Sequence, residues 1–394
     1  MNFKKPRNKK VMHFGAGNIG RGFLGELYFD SGREVIYVDV YSKLVQILNE
    51  SGKYPLWIIG EHVIKKEISN FSAIDMKDEK KILDNALNID LISISVGANN
   101  LKNLAPVLAK IIKIRFREKP GDVLNIIICE NMKNSALILS ENIKKNMEES
   151  FRQKIDEKIG FVETVLSRMV PNISEKEKQE NPLLVKVEKY NTLPVSKNSF
   201  KGEPPLINGF LFVDELRPYQ DMKTYIHNFS HSSFAYIGHE KGYRFIWECA
   251  SDIEIKKIVS EAVNEVIKAI NKCYGITVEE LSGYYEDLLK RFLNKELGDT
   301  VKRVTREPIR KLGKNERFIG TADFCLSQGI TPEKICRVIP YVLNYFDTED
   351  PEGVILKQYI TQNSIDNVLK KICGLDTKDV VFTLIKNTWG ENHL

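Results

Sequence analysis

Short apolar runs alternate with longer amphipathic stretches between residues 10 and 131. Four of these runs are rich in β-branched residues and are bounded by glycine or aspartate; they cover residues 11–14, 35–40, 91–96 and 123–129. Continuous apolar strands separated by helical segments predict a mostly parallel sheet that helices cover on both faces. The first part of the chain is therefore expected to be a doubly wound α/β domain.

Three segments depart from this alternation, the first of them within the first domain. Residues 54–72 alternate as in an antiparallel hairpin, and residues 173–206 form a charged connecting region around a strand-like run at 183–190. Residues 255–275 keep apolar side chains three and four apart and end in a glycine suited to a helix C-cap. We therefore expect a first domain over residues 1–195 and a mainly α-helical domain over residues 196–394.

Composition excludes several classes of protein. The chain has 394 residues, of which 42% are hydrophobic and 28% charged, and its net charge of +5 is too small to indicate nucleic-acid binding. No apolar run approaches the roughly 18 residues that a membrane helix needs. The six cysteines are scattered, without a zinc-ligand spacing, and the basic N-terminus lacks the apolar core of a secretory signal. These features favour a cytoplasmic protein without a structural metal or a membrane partner.

A glycine-rich turn joins the first predicted strand to a helix. It consists of Gly15, Ala16, Gly17, Asn18, Ile19 and Gly20. In this context the G-x-G-x-x-G pattern is typical of a Rossmann-type dinucleotide site, where amides at the helix N-terminus face the pyrophosphate. Asp39 ends the second strand and would bind the adenosine ribose hydroxyls, which favours NAD over NADP. The alternative is that the glycines serve only to make a tight turn.

Two further residues fit a bound nucleotide. Arg21 lies just inside the helix and could reach a phosphate group. Asn99 lies in the polar segment after the third buried strand, where we expect the chain to pass beneath the nicotinamide ribose. Asn99 is therefore predicted to contribute to the cofactor site, and Arg21 fits beside it.

Candidate catalytic side chains occur at the start of the helical half. At about 100° per residue on one helix, Lys223, His227 and His231 fall near 0°, 40° and 80°, and Asn228 near 140°. A desolvated lysine could exchange the hydroxyl proton, while Asn228 donates a hydrogen bond to the alkoxide and His231 is either a second donor or an orienting partner. Asn131, which follows the last buried strand, could supply the opposite wall. The alternative is an ordinary amphipathic helix with an exposed lysine.

The sequence resembles the polyol-specific long-chain dehydrogenases. The resemblance rests on HFGAGNIGRGF (13–23), CENM (129–132), GFVETVLSRMVP (160–171), the K-x-x-x-x-N-x-x-H pattern (223–231) and REPIRKL (306–312), in family order. It implies a zinc-independent enzyme whose active site lies in the cleft between the two domains. It also implies that Lys223 is the general acid/base, that Asn131 and Asn228 stabilise the oxyanion, and that His231 completes the site.

Within the family, the length of this chain resembles that of members acting on phosphorylated sugars. This implies interconversion of D-mannitol 1-phosphate and D-fructose 6-phosphate. Cations at 303–311 suit a phosphate, and Arg306, Arg310 and Lys311 are expected to bind it. Ser167 stands where the family usually has an aspartate. Two alternatives therefore stay open: a reductase of the hexuronates tagaturonate or fructuronate, and an NAD-binding sensor that has lost turnover.

Overall fold

The computed structural model describes residues 9–60, 62–171 and 173–391. Contacts group the chain into two compact units, Met1–Leu216 (unit 1) and Arg217–Leu394 (unit 2). The sequence placed the division at residue 195. The difference arises because strand β10 (Leu193–Ser196) pairs with strand β11 (Phe210–Val213), which keeps the intervening segment in unit 1.

Unit 1 contains a central sheet and two smaller ones. Its strands are β1 (Lys10–Phe14), β2 (Glu34–Asp39), β3 (Tyr54–Ile59), β4 (Ile64–Ile68), β5 (Phe71–Asp75), β6 (Leu91–Ile94), β7 (Leu124–Ile128), β8 (Ile159–Glu163) and β9 (Val185–Glu188), followed by β10 and β11. Its helices are α1 (Gly25–Asp30), α2 (Ser42–Ser51), α3 (Glu79–Asp84), α4 (Ala105–Glu118), α5 (Ser135–Lys145), α6 (Glu149–Lys158) and α7 (Glu175–Glu180).

The central sheet is parallel, with the strand order β5-β2-β1-β6-β7-β8. Alternate residues of β1 enter different cores: Met12 and Phe14 join one apolar cluster and Val11 joins another. Both faces of the sheet are thus buried, which confirms the predicted doubly wound α/β fold. The strand order reverses between β1 and β6, and in such sheets ligands bind beyond the carboxyl ends of these strands.

The predicted hairpin is present. Strands β3 and β4 pair antiparallel, and β9 adds to the other edge of β3 in a parallel orientation. The strand-like run within the charged connecting region is therefore a structural part of unit 1.

Unit 2 is helical, as the sequence predicted. Its helices are α8 (Arg217–Asp221), α9 (Phe229–Glu240), α10 (Ile246–Ser251), α11 (Ile253–Tyr274), α12 (Val278–Phe292), α13 (Val301–Thr305), α14 (Pro308–Lys311), α15 (Ile319–Ser327), α16 (Glu333–Leu343), α17 (Pro351–Gln362), α18 (Ile365–Lys371) and α19 (Val380–Glu391). Helix α11 buries an apolar stripe that includes Val259, Val263 and Val266 and packs on α9 and α16. It ends at Gly275, whose φ of 70° is the left-handed C-cap that the sequence predicted. Among the described residues, no helix is long and apolar enough to cross a membrane.

Candidate active site

The glycine-rich turn follows β1 directly, and its three glycines differ in how much space a side chain would have. Gly15 has a φ of +101°, and a Cβ there would lie 2.4 Å from the Ser95 backbone oxygen. A Cβ on Gly20 would lie 1.9 Å from the Gly15 oxygen. Among the described residues, no atom beyond those of its chain neighbours lies within 4 Å of a Cβ built on Gly17. Gly15 and Gly20 therefore fix the turn, whereas Gly17 leaves its backbone open to a ligand.

The helix after the turn begins with a π-helical segment, Gly20–Leu24, before α1. The first amides of a helix have no intrahelical acceptor and favour an anion. Asp39, at the end of β2, accepts hydrogen bonds from the amides of Ala16 at 2.6 Å and Tyr41 at 2.9 Å. These contacts hold the Asp39 carboxylate beside the glycine-rich turn.

The Arg21 side chain is bound to backbone oxygens, whereas the sequence had suggested that it could reach a phosphate group. Its side chain is buried, with Nε donating to the Ala16 oxygen and Nη1 to the Leu183 oxygen, each at 2.7 Å. The guanidinium thus joins the glycine turn to the segment before β9.

His13, which the sequence did not single out, supports the turn from below. Its ring is fully buried between the hydroxyl oxygens of Ser93, at 2.6 Å from Nδ1, and Ser95, at 2.9 Å from Nε2. Burial lowers the pKa of His13 to about 3. The ring therefore stays neutral beneath Gly20, whose missing Cβ makes room for it.

The loops after β6 and β7 are joined by Glu130. Its Oε1 accepts a hydrogen bond from the Gly97 amide at 2.8 Å, and burial raises its pKa. Asn99 and Asn131 are both exposed on these loops. Glu130 thus holds together the two segments that carry the predicted ribose-binding and oxyanion-binding residues of unit 1.

Ser167 and Arg168 lie in the segment after β8. Ser167 is buried, and the Arg168 guanidinium donates to Glu26 Oε2 at 2.5 Å and to the Glu188 oxygen at 2.9 and 2.8 Å. Arg168 is therefore held by groups of unit 1.

Lys223 lies in a helix with two kinds of turn. Between α8 and α9 the segment Met222–Asn228 is π-helical, and the Phe229 amide donates to the oxygen of Thr224, five residues back. A π turn contains more residues than an α turn, so the angle between positions five apart is smaller, and Lys223 and Asn228 lie closer to one side of the helix than regular α-helix spacing predicts. Both side chains are partly exposed. Single π turns in α-helices frequently occur at functional sites.

His231 is held by a carboxylate that the sequence did not identify. Its Nε2 lies 2.8 Å from Asp299 Oδ2, and its ring stacks on Phe292 at a centroid distance of 4.9 Å. The other carboxylate oxygen accepts from Arg303 Nε at 2.8 Å and Nη2 at 2.6 Å. Burial lowers the pKa of His231, against the opposing effect of Asp299. The sequence feature that could have drawn attention to Asp299 is Gly298, which directly precedes it and caps the preceding turn in the left-handed conformation.

His227 lies one helical turn before His231 and is also buried. Its ring centroid is 6.2 Å from that of His231, and its Nδ1 has no hydrogen-bond partner among the described residues. Burial, with added repulsion from Lys223, lowers the pKa of His227 well below its usual value. The imidazole is therefore neutral and supports the helix from inside the core.

A cationic cavity of about 280 Å³ opens in unit 2 beside His231. Its lining residues are His231, Arg303, Val304, Arg306, Glu307, Arg310, Lys311 and Arg317. The cavity thus contains all three residues predicted to bind a phosphate, together with one predicted catalytic residue. Arg317 is an addition, because the sequence pattern gave no reason to connect it with the cluster at 303–311.

The chain reversal that builds this cavity occurs at Glu307. Its φ of +62° is unusual for a residue with a side chain, and Pro308 begins α14 directly after it. The reversal lets Lys311 Nζ donate back to the Val304 oxygen at 2.5 Å and to the Arg306 oxygen. Burial and the neighbouring guanidinium groups of Arg317 and Arg310 lower the pKa of Lys311 to about 6.

The exposed cations of the cavity differ in their partners. Arg310 donates to Glu307 at 2.9 Å and to Glu316 at 3.1 Å, so two carboxylates hold it. Arg306 is exposed, and its guanidinium has no hydrogen bond or ion pair within the described ranges. Throughout residues 9–60, 62–171 and 173–391, no group of three or more His, Cys, Asp or Glu side chains is arranged to hold a metal ion.

Comparisons with known proteins cover both units. A model of the mannitol dehydrogenase Rossmann domain matches residues 9–209, and a model of the mannitol dehydrogenase C-terminal domain matches residues 215–391. The mannitol-1-phosphate 5-dehydrogenase of Thermoanaerobacter pseudethanolicus is 37% identical over 380 residues, which cover 96% of each chain. That of Bacillus subtilis is 34% identical over 95% of this chain and 98% of its own.

Solved structures agree with the fold. The mannitol 2-dehydrogenase of Pseudomonas fluorescens, in a ternary complex with NAD and D-mannitol, superposes with a TM-score of 0.78 at 15% identity, covering 98% of this chain and 92% of that one. A D-sorbitol dehydrogenase superposes with a TM-score of 0.80 at 15% identity over 98% and 94% of the two chains. The two domain models and the curated relatives confirm the predicted resemblance: the chain belongs to the mannitol dehydrogenase family of oxidoreductases.

Proposed function

We propose that this protein interconverts D-mannitol 1-phosphate and D-fructose 6-phosphate with NAD as the redox cofactor. The observation that carries the proposal is the cationic cavity beside His231, because it combines a predicted catalytic side chain with groups that suit a phosphate. The relatives named mannitol-1-phosphate 5-dehydrogenase, at 34% and 37% identity, support the same substrate pair.

The glycine turn and Asp39 fit NAD. The open space at Gly17 admits a pyrophosphate against the backbone, and the amides at the start of the helix face it. The Asp39 carboxylate, held by the Ala16 and Tyr41 amides, would accept from the ribose hydroxyls and repel the extra phosphate of NADP. Asn99 would contact the nicotinamide ribose. When bound, NAD supplies the hydride acceptor for alcohol oxidation.

Lys223 is the proposed general acid/base. It takes the hydroxyl proton of mannitol 1-phosphate during oxidation and returns it to the ketone oxygen during reduction. This role needs no zinc. The amine accepts the hydroxyl proton of the substrate, and amide groups rather than a metal ion stabilise the resulting alkoxide. The π turn supports the assignment by placing Asn228 on the same side of the helix as Lys223.

Amide groups stabilise the oxygen as negative charge develops on it. Asn228 and Asn131 each have an amide NH₂ that donates two hydrogen bonds. His231 is the third predicted member and acts as an orienting partner, because its Nε2 lies 2.8 Å from Asp299 Oδ2 and a proton there is donated to that carboxylate. Asn131 lies in unit 1, and Asn228 and His231 lie in unit 2.

Arg306, Arg310 and Lys311 are proposed to hold the substrate phosphate. The same cations would pair with a hexuronate carboxylate, which makes reduction of tagaturonate or fructuronate the second candidate. The curated relatives are named for a phosphate ester, and this favours D-fructose 6-phosphate. An active dehydrogenase is also favoured over a sensor without turnover, because Lys223 is present with Asn131 and Asn228 despite Ser167.

The decisive variant for this mechanism is Lys223→Ala. We expect it to lower kcat by about 10³-fold, because the group that exchanges the hydroxyl proton is lost. The dissociation constant of NADH, measured by fluorescence titration, should change less than about twofold, since binding is assigned to unit 1.

Lys256→Ala is the matched control, because Lys256 is an exposed helical lysine of the same unit. It should keep the kcat and NADH affinity of the unmodified protein. A Lys223→Ala variant that retains most of its kcat would overturn the acid/base assignment.

A further inference from the structure

Arg317 differs from the other cations of the cavity in how it is held. Its Nη1 donates to Ser232 Oγ at 3.1 Å, and Ser232 directly follows His231 on α9. Its Nε is buried without a hydrogen-bond partner among the described residues, and Glu316 lies 3.7 Å away. No hydrogen bond within the described ranges involves Nη2. The guanidinium is thus fixed in direction but only partly satisfied.

The neighbouring cations have their donors occupied. Arg303 donates from Nε and Nη2 to Asp299, and Lys311 donates from Nζ to backbone oxygens. Arg310 is shared between Glu307 and Glu316. A ligand that recruited these groups would first have to break charge-assisted hydrogen bonds, which are the strong ones in proteins. Arg317 requires no such exchange.

The charge of the cavity is also unbalanced. Four arginines and one lysine line it, and Glu307 is the acidic residue among the lining groups. Glu316 serves Arg310 and Arg317 together. The proximity of Arg317 and Arg310 opposes protonation of the buried Lys311, so the cluster lacks negative charge. A phosphate monoester carries up to two negative charges near neutral pH and would supply it.

We propose that Arg317 is the specificity-determining residue that binds the phosphoryl group of the substrate, with its Nη edge facing the phosphate oxygens opposite Arg306. This inference rests on the proposed function and adds a residue to it. Because Ser232 orients Arg317 from the residue after His231, the phosphate is recognised at a fixed place relative to the predicted catalytic helix. Arg310, which Glu307 and Glu316 hold in place, then adds its charge to the phosphate site that Arg306 and Arg317 contact.

The test compares Arg317→Gln, Arg317→Lys and the control Lys314→Gln in the full-length protein. Lys314 is an exposed cation of the same loop. Arg317→Gln should raise the KM for D-fructose 6-phosphate about 30-fold, and Arg317→Lys about fivefold, because lysine keeps the charge but loses the planar fork. The KM for NADH and the kcat/KM for unphosphorylated D-fructose should change less than about twofold in every variant.

An unchanged KM for D-fructose 6-phosphate in folded Arg317→Gln would overturn the inference, and so would an equal rise in the KM for NADH. If Arg317→Gln does not fold, Arg317→Lys decides, and an unchanged KM there counts against Arg317. If the unmodified protein does not reduce D-fructose 6-phosphate, that separate result contradicts the proposed function. In that case inorganic phosphate is the probe: raising Tm in the unmodified protein but not in Arg317→Lys supports the anion site, and equal shifts refute it.

Discussion

The glycine turn of unit 1 and the cationic cavity of unit 2 are suited to phosphate groups by opposite means. The turn offers backbone amides and open space at Gly17, and its neighbouring arginine, Arg21, is committed to backbone oxygens. The cavity offers side-chain charge, much of it already paired. A backbone site depends on the absence of side-chain atoms that would block the amides. A cationic site depends on which charged side chains are still able to bind a ligand. Different substitutions should therefore damage the two sites.

The largest expected effect is at Gly20. An added Cβ would lie 1.9 Å from the Gly15 oxygen and 2.7 Å from His13 Nε2, so Gly20→Ala forces the backbone to move. We expect a loss of about 3 kcal/mol of stability, measured by urea unfolding, and loss of measurable NADH binding.

Gly17→Ala is the matched comparison, because no atom of the described residues beyond its chain neighbours lies within 4 Å of its Cβ. It should keep the unfolding free energy while weakening NADH binding about tenfold, since the methyl group occupies the space assigned to the pyrophosphate. If Gly17→Ala binds NADH normally, the turn is only a structural turn.

Arg306→Ala tests the other side of the comparison. Removing this exposed guanidinium should raise the KM for D-fructose 6-phosphate about tenfold and leave the KM for NADH within about twofold. Steady-state kinetics with each substrate varied in turn gives both values. Equal changes in the two constants would argue against a phosphate role for the cavity.

The smallest expected effect is a shared dependence on pH. His13 in unit 1 and His227 in unit 2 both have a lowered pKa because they are buried. Below pH 6.5 the unfolded chain binds protons that the folded chain does not bind, so the unfolding free energy falls as the pH falls toward the folded pKa. Each histidine should cost about 1.4 kcal/mol per pH unit in this window.

Urea unfolding at pH 7.5 and 5.5 measures this dependence. Replacing either histidine, as His13→Gln or His227→Gln, should reduce the loss of stability at the lower pH. An unaltered loss in both variants would mean that other groups control the acid sensitivity.

The two sites also differ in how much the sequence disclosed. The turn and Asp39 follow a local pattern of strand, glycines, helix and acid, and the structure places them together as that pattern predicts. Asp299 and Arg317 were missed because their partners lie far along the chain: Asp299 meets His231 across 68 positions, and Arg317 meets Ser232 across 85. Spacing cannot indicate such contacts, because the packing of helices brings them about.

Two unusual backbone conformations could not be predicted from the sequence for a related reason. The π turn at Met222–Asn228 and the left-handed Glu307 both depart from what their residue types favour. Strained conformations of this kind persist only when the surrounding structure stabilises them. The strands and the long helix α11 were predictable because their apolar periodicity is strong. The pairing of β10 with β11, which moved the domain boundary, joins strands separated by an irregular segment.

The most direct test of the central claim is NADH oxidation by the unmodified protein with a panel of ketoses. The panel contains D-fructose 6-phosphate, D-fructose, D-fructuronate and D-tagaturonate. The account predicts that the phosphate ester is reduced with a kcat/KM at least about 100-fold above that of the others, with a hexitol phosphate as product. Faster reduction of a uronate, or tight NADH binding with no ketose reduced, would contradict it.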